Sequence, residues 1–248
     1  MRPLLFSMTT IEQFHLSTII ACMHPALTVS NLSKQYKQQL AVNDISFVLH
    51  AGEAIGLLGA NGAGKSTMIK CILGLVRPTK GSISHVGLSP AYLPELPQLP
   101  TSISAIDLLR FKCSASEMDT ILAEESLASV NLSTNAYNKP IGQYSKGMRQ
   151  RTALALTLCG NSKLICLDEP MSGLDALGRR EILCLLKEQK EQGRAFLMSS
   201  HIVSDMVQLC DRVLIMANGK LCEDVQIDDH SLEEAKILES KLAQWTNA

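Results

Sequence analysis

Residues 59–66 read Gly59-Ala60-Asn61-Gly62-Ala63-Gly64-Lys65-Ser66, a G-x-x-x-x-G-K-S run. Glycines at this spacing let backbone N–H groups turn inward around phosphate oxygens. A helix beginning near Lys65 aims its positive end at the same anion. In such a loop Lys65 neutralises the β- and γ-phosphates, the Ser66 hydroxyl ligates Mg²⁺, and Thr67 serves the α-phosphate side. The second group is Leu164-Ile165-Cys166-Leu167-Asp168-Glu169-Pro170. An apolar run ending in two acids puts carboxylates at the carboxyl end of a parallel sheet, where open α/β folds bind ligands. Asp168 is placed to hold Mg²⁺ through water, and Glu169 to polarise the attacking water as general base. The third is Ser199-Ser200-His201, whose imidazole can contact the γ-phosphate. By itself a lone histidine is more often structural. The fourth is Tyr144-Ser145-Lys146-Gly147-Met148-Arg149-Gln150-Arg151. A hydroxyl, a glycine and a helix start make a second anion-binding device, though alone it reads more readily as a basic helix cap. Two phosphate devices in one chain suggest that one of them serves a partner's nucleotide.

These groups need strands to carry them. Leu27–Leu32 and Ala41–Leu49 alternate apolar and polar as half-buried strands do, with a polar segment, Ser33–Gln39, between them. Ala54–Leu58, Leu164–Leu167 and Ala195–Ser199 are short apolar runs, read as buried strands. Ser66–Leu75 follows as a helix. Residues 81–100 are rich in Gly, Pro and Ser and read as loop with short strand pieces. Helical patterning then runs from Ile103 to Leu158, with Thr101-Ser102 as one cap and Ser116 with Asp119 opening a further helix. Ala176–Gln192 reads as an amphipathic helix stopped at Gly193, and about Val203 to Leu209 as another. Asn218-Gly219 marks a hairpin between Val213–Met216 and Lys220–Glu223. Ser231 and Glu234 form a capping box, after which Ala235, Leu238, Leu242 and Trp245 share one helical face. That face is read as packing on its own lobe in preference to a dimer contact.

The chain has 248 residues, with 23 Lys and Arg against 24 Asp and Glu. The near-zero balance gives no electrostatic footprint for nucleic acid. Apolar content of 46% excludes wholesale disorder, and a charged fraction of 19% fits a surface partly covered by a partner. No apolar run approaches the length of a membrane-spanning helix. The first residues make a poor signal peptide, and Met23 is a candidate start, leaving residues 1–24 as a dispensable extension. Eight cysteines without a C-x-x-C pair fit a reducing compartment better than disulfides or zinc.

Taken together and in this order, the four motifs resemble the ATP-binding cassette (ABC) ATPases, over about Leu27 to Glu223. The resemblance implies an α/β fold: a P-loop NTPase core with a mixed parallel sheet, a small antiparallel β edge and an inserted helical subdomain at about 100–160. The cassette would span 25–225, and 226–248 would be a C-terminal amphipathic helix. It implies that Tyr36 stacks on adenine, that Asp175 in Ser172-Gly173-Leu174-Asp175 belongs to the D-loop, and that His201 is the switch histidine. It also implies that Ser145 and Gly147 act in trans. Two departures stand out. The signature has Tyr144, Lys146 and Met148 where Leu-Ser-Gly-Gly-Gln is usual. Glu95, in Tyr92-Leu93-Pro94-Glu95, stands where a Mg²⁺-contacting glutamine is expected, with Gln98 the weaker candidate. Both are similar to ABC-2-type exporter ATPases. The segment from Gly81 to Tyr92 also looks shorter than usual, which suggests a trimmed β edge. The implied activity is ATP hydrolysis with ATP and Mg²⁺, in a head-to-tail dimer with a second ATPase subunit. That dimer would drive a separate transmembrane permease from the cytoplasmic face of the membrane. The alternative is a soluble ABC ATPase not coupled to transport. Ribosomal members usually carry two cassettes and DNA-repair members long coiled coils, and neither is visible here. A non-hydrolysing regulator is disfavoured by the intact Lys65, Asp168, Glu169 and His201.

Overall fold

The computed structural model describes residues 25–87 and 89–246. The proposed Met23 start and the remainder of residues 1–24 lie outside them. Six short strands form the central sheet, in the order β5-β6-β7-β3-β8-β9. These are β3 (Ala54–Leu58), β5 (Ala91–Leu93), β6 (Leu164–Asp168), β7 (Ala195–Ser199), β8 (Arg212–Ala217) and β9 (Lys220–Gln226). The pairs β5–β6, β6–β7, β7–β3 and β3–β8 are parallel, and β9 closes the edge antiparallel to β8.

Every residue of β3, β6 and β7 is buried. Successive strand side chains point to opposite faces, so a sheet covered on both sides reads as an unbroken apolar run. The two faces belong to two cores. Leu58, Ile165, Leu167, Phe196 and Met198 pack toward the helices on one side. Ile55, Leu57, Leu164, Cys166 and Leu197 pack toward the β subdomain on the other.

That subdomain is a three-stranded antiparallel sheet in the order β2-β1-β4, made of β1 (Pro25–Tyr36), β2 (Gln39–His50) and β4 (Lys80–His85). Here the reading of Ser33–Gln39 as a separate polar segment is corrected. The ladder runs on to the pair Tyr36–Gln39, and only Lys37 and Gln38 turn. Both faces of that tip are at least partly exposed, so the alternation vanishes although the hydrogen bonds continue.

Helix α1 (Lys65–Ile72) follows the phosphate loop. The helical insertion comprises α2 (Ala105–Ala115), α3 (Leu122–Ser129), two short 3₁₀ turns and α4 (Lys146–Leu158). Its first cap is Ser104, not Thr101-Ser102: Asp107 N donates to Ser104 Oγ at 3.2 Å, and Ser104 Oγ donates to Asp107 Oδ2 at 2.6 Å. α3 starts at Leu122, later than Ser116 and Asp119 suggested. Asp119 instead accepts the Ile121 amide at 3.0 Å. α5 (Ala176–Glu191), α6 (Val203–Leu209) and α7 (Leu232–Thr246) complete the fold. Ser231 Oγ accepts the Glu234 amide at 3.1 Å, one half of the capping box read from the sequence, but the Ser231 amide donates to Asp229 Oδ1 at 2.9 Å and not to the Glu234 carboxylate. Leu238 is fully buried on the core that also holds α6, so α7 packs on its own lobe. Among the described residues no helix is long and apolar enough to cross a membrane.

Candidate functional site

The site is assembled at the carboxyl ends of β3, β6 and β7, where each strand releases the chain into a turn. After β3 the loop from Gly59 to Gly64 wraps into α1. A Cβ on Gly64 would strike the Ala41 carbonyl, and its φ of +105° is one that only glycine adopts freely. Gly59 is closed in by the Met216 carbonyl in the same way. The hairpin turn at Gly219 locks this loop, donating its amide to Ala63 O at 3.1 Å and accepting Asn43 N at 2.7 Å. The Asn218-Gly219 turn read from the sequence therefore also braces the phosphate loop. Lys65 Nζ donates to two carbonyls of its own loop, Gly59 at 2.6 Å and Ala60 at 3.1 Å. Burial pulls the Lys65 ammonium pKa below its ordinary value, and Glu169, Asp168 and Glu95 oppose that pull.

Strand β6 ends on Asp168, which is buried and accepts a hydrogen bond from the buried Ser199 Oγ at the end of β7. Asp168 and Ser199 are register partners across the two parallel strands, which is why the hydroxyl meets the carboxylate. Glu169 follows with a φ of +51°, an uncommon conformation for a side chain with a Cβ. The sequence carries no signal for it. Its amide donates to Ser199 O at 3.1 Å and its carbonyl accepts the Ser172 amide at 3.1 Å. Glu169 Oε2 lies 2.8 Å from His201 Nδ1. Glu169 is largely buried and the His201 side chain is 74% exposed, so the imidazole stands at the open rim of the acid.

One cleft of about 610 Å³ gathers these groups. Tyr36, residues Asn61 to Thr67, Glu95, Asp168, Glu169 and His201 all line it. Gln39 and Ala41, which the sequence reading did not single out, line it as well, together with Ser199 of the third motif. They arrive by tertiary pairing: Gln39 faces Tyr36 across the β1–β2 turn, and Ser199 lies beside Asp168. Tyr36 is exposed at the mouth, with the Lys34 ammonium 4.9 Å from its ring centroid. Gln98 is not among the lining residues. The Ser66 hydroxyl and the Asp168 and Glu95 carboxylates are hard oxygen donors of the kind Mg²⁺ takes, so the donor set fits that ion. The cleft volume lies in the range of small-molecule sites.

Ser145, Gly147 and Asp175 do not line the cleft. Ser145 caps α4, its Oγ accepting Met148 N at 3.2 Å. Asp175 caps α5, accepting Gly178 N at 2.8 Å. The two loops touch each other within the chain: a Cβ on Gly147 would come 3.2 Å from Gly173 O, and the Lys146 stem lies across Gly173. The helix start at Ser145 is thus capped and packed on the Gly173 turn, outside the cleft.

A family profile described as ABC transporter matches residues 42–172. An uncharacterized ABC transporter ATP-binding protein of Bacillus subtilis, YxlF, is 37% identical over 205 residues, covering 79% of this chain and 69% of that one. The SkfA peptide export ATP-binding protein SkfE of the same organism is 32% identical over 236 residues, covering 89% and 98%. Among solved structures, an ATP-binding subunit of an ABC transporter superposes with a TM-score of 0.77 at 31% identity, covering 87% of this chain and 99% of that one. A dimeric bacterial ABC transporter cassette gives 0.75 at 21% identity over 82% and 99%, a likeness of fold alone.

Proposed function

This chain belongs to the ABC transporter family, and from that premise we propose that it energises an exporter of the ABC-2 type by closing on a second ATPase subunit around two Mg-ATP. It is an ATP-binding subunit and an ATPase. In the proposed cycle each ATP lies between the Gly59–Thr67 loop of one chain and Ser145 and Gly147 of the other. Tyr36 stacks on the base. Mg²⁺, held by Ser66, Asp168 and Glu95, would neutralise charge on the phosphates when bound. Glu169 accepts the proton of the attacking water, and His201 holds the Glu169 carboxylate at the rim through Nδ1. Closure moves a permease that docks in a groove formed by the segment from about Tyr92 to Pro100 and the helical insertion, at the cytoplasmic face of the membrane. We also take 25–225 as the cassette and residues 226–248 as its appended helix.

The observation that carries this reading is the separation of the two phosphate devices. The cleft holds the first, the acids and the imidazole, while Ser145 and Gly147 lie outside it. Such an arrangement is completed by a second chain. The exporter subclass is supported by Glu95, by the Tyr144–Met148 signature and by a relative named for peptide export. Light scattering on a Glu169→Gln chain, with and without Mg-ATP, tests the dimer. An ATP-dependent doubling of mass that Lys65→Ala or Ser145→Arg abolishes is expected. A chain that binds ATP yet stays monomeric at all concentrations rejects the shared site. For the exporter assignment, affinity purification from membranes is expected to recover a multi-span permease, and recovery with a substrate-binding protein of an importer rejects it.

A further inference from the structure

We infer that Gln150 is a positioning residue for Glu169: its buried carboxamide holds the Pro170 carbonyl and so fixes the positive-φ backbone that aims the acid. Gln150 lies one turn into α4, where every neighbouring inward position is apolar or a backbone-bonded threonine. It is only 4% exposed. Its Nε2 donates to Pro170 O at 2.9 Å, across twenty residues of sequence. The amide orientation follows from the partner, because a carbonyl only accepts.

Proline has no N–H, so the Pro170 carbonyl is its sole backbone polar group. Three restraints then hold the backbone at Glu169 and Pro170. Glu169 N is held by Ser199, Glu169 O by the Ser172 amide, and Pro170 O by Gln150. A non-glycine residue persists at φ +51° only where its surroundings over-determine it. Two of the three restraints come from the sheet and from the turn itself. The third comes from the helix that starts at Ser145, whose first turn also rests on the same loop through Lys146 and Gly147 against Gly173. One rigid helix therefore sets both the phosphate-binding end offered outward and the direction of the chain's own acid.

This inference rests on Glu169 being the base. The test uses the full chain with Gln150→Met, which keeps length and removes the donor, and Gln150→Glu, which keeps shape. Gln150→Met is expected to lower kcat about 10- to 100-fold while KM for ATP stays within about two-fold, as for a misaimed base. Amide exchange at Ser172, the partner of Glu169 O, is expected to speed up by about tenfold or more, with β3 unchanged. Gln150→Glu is expected to recover kcat relative to the parent as pH falls, because a protonated carboxyl donates to Pro170 O and a carboxylate repels it. A parallel fall in kcat and ATP affinity, unchanged exchange at Ser172, or a Gln150→Glu profile parallel to the parent overturns the inference. Glu169→Gln separates the two claims. If it is inactive while Gln150→Met matches the parent in kcat, only the positioning claim fails. If Glu169→Gln turns over normally, the base assignment fails and the inference goes with it.

Discussion

Lys65 stands between backbone carbonyls and carboxylates. Its ammonium is drawn to two carbonyls of its own loop and faces three carboxylates. Burial lowers its pKa, and the acids limit the fall. Its replacement by alanine leaves the phosphate charge without its partner. Charge-assisted hydrogen bonds are worth about 1.5–3 kcal/mol, so Lys65→Ala is expected to weaken ATP binding by about 10- to 100-fold in equilibrium dialysis. Gly64→Ala is expected to do worse, since the added methyl meets the Ala41 carbonyl at a φ of +105°. That variant should neither bind ATP nor unfold at the parent's temperature. Tyr92 makes a prediction of the opposite kind. Burial first, then Asp168, Cys166 and Glu95, push its phenol up to about 12 from 10.0. Between those values the unfolded chain loses a proton that the folded chain keeps, so stability falls as pH rises from 10 toward 12. Tyr92→Phe removes the phenol and should flatten that alkaline limb in urea titrations. An unchanged slope would mean that the ring titrates as it does in water. Cysteine chemistry sorts along the same line. Burial raises the Cys166 thiol to about 12, and Cys184 is exposed. Mass mapping after iodoacetamide at neutral pH should find Cys184 modified, and Cys166 only after denaturation.

At the scale of elements, legibility followed solvent. The buried strands β3, β6 and β7 were readable because both faces are apolar, and the acids and imidazole at their ends were readable because the motif order is specific. The tip of the β1–β2 hairpin was not, since Ser33 to Tyr36 carry polar side chains on a continuing ladder. The first cap of the helical insertion went to Thr101-Ser102 because a hydroxyl is all that the sequence displays. The structure chose Ser104, whose partner Asp107 lies at the right spacing. Gln39 and Ala41 entered the cleft only through strand pairing, which no local pattern records. Helix α7 was legible in its Ser231 cap and its apolar face, and packing decided where that face goes. Leu238 is fully buried there, and Trp245 Nε1 donates to Glu223 Oε1 at 2.9 Å. Leu238→Ala should therefore cost about 2–5 kcal/mol in denaturant unfolding. ATP binding should survive in the folded fraction, because α7 does not line the cleft.

For the whole molecule, the decisive property is that Ser145 and Gly147, proposed to bind a phosphate, lie outside the cleft that holds the Lys65 loop. Residues 61–67 open into the cleft, while Ser145, which caps a helix, and Gly147 in that helix's first turn lie outside it. If each ATP is shared between chains, two different defects can complement. One chain carries Lys65→Ala and its partner Ser145→Arg, both with Glu169→Gln to hold the nucleotide. Each homodimer has two damaged sites. In the mixed dimer, one site combines both lesions, and the other joins an intact phosphate loop to an intact Ser145. Mixing is therefore expected to produce an ATP-dependent dimer that neither variant forms alone, with one nucleotide retained per dimer after gel filtration. The alternative, in which each chain completes its own site, gives no gain on mixing, because every chain still carries its own lesion. Two nucleotides per mixed dimer would also contradict the shared site, since the doubly damaged interface has neither Lys65 nor an open Ser145. The stoichiometry thus tests the geometry of sharing, and the mass change tests association; they can fail separately.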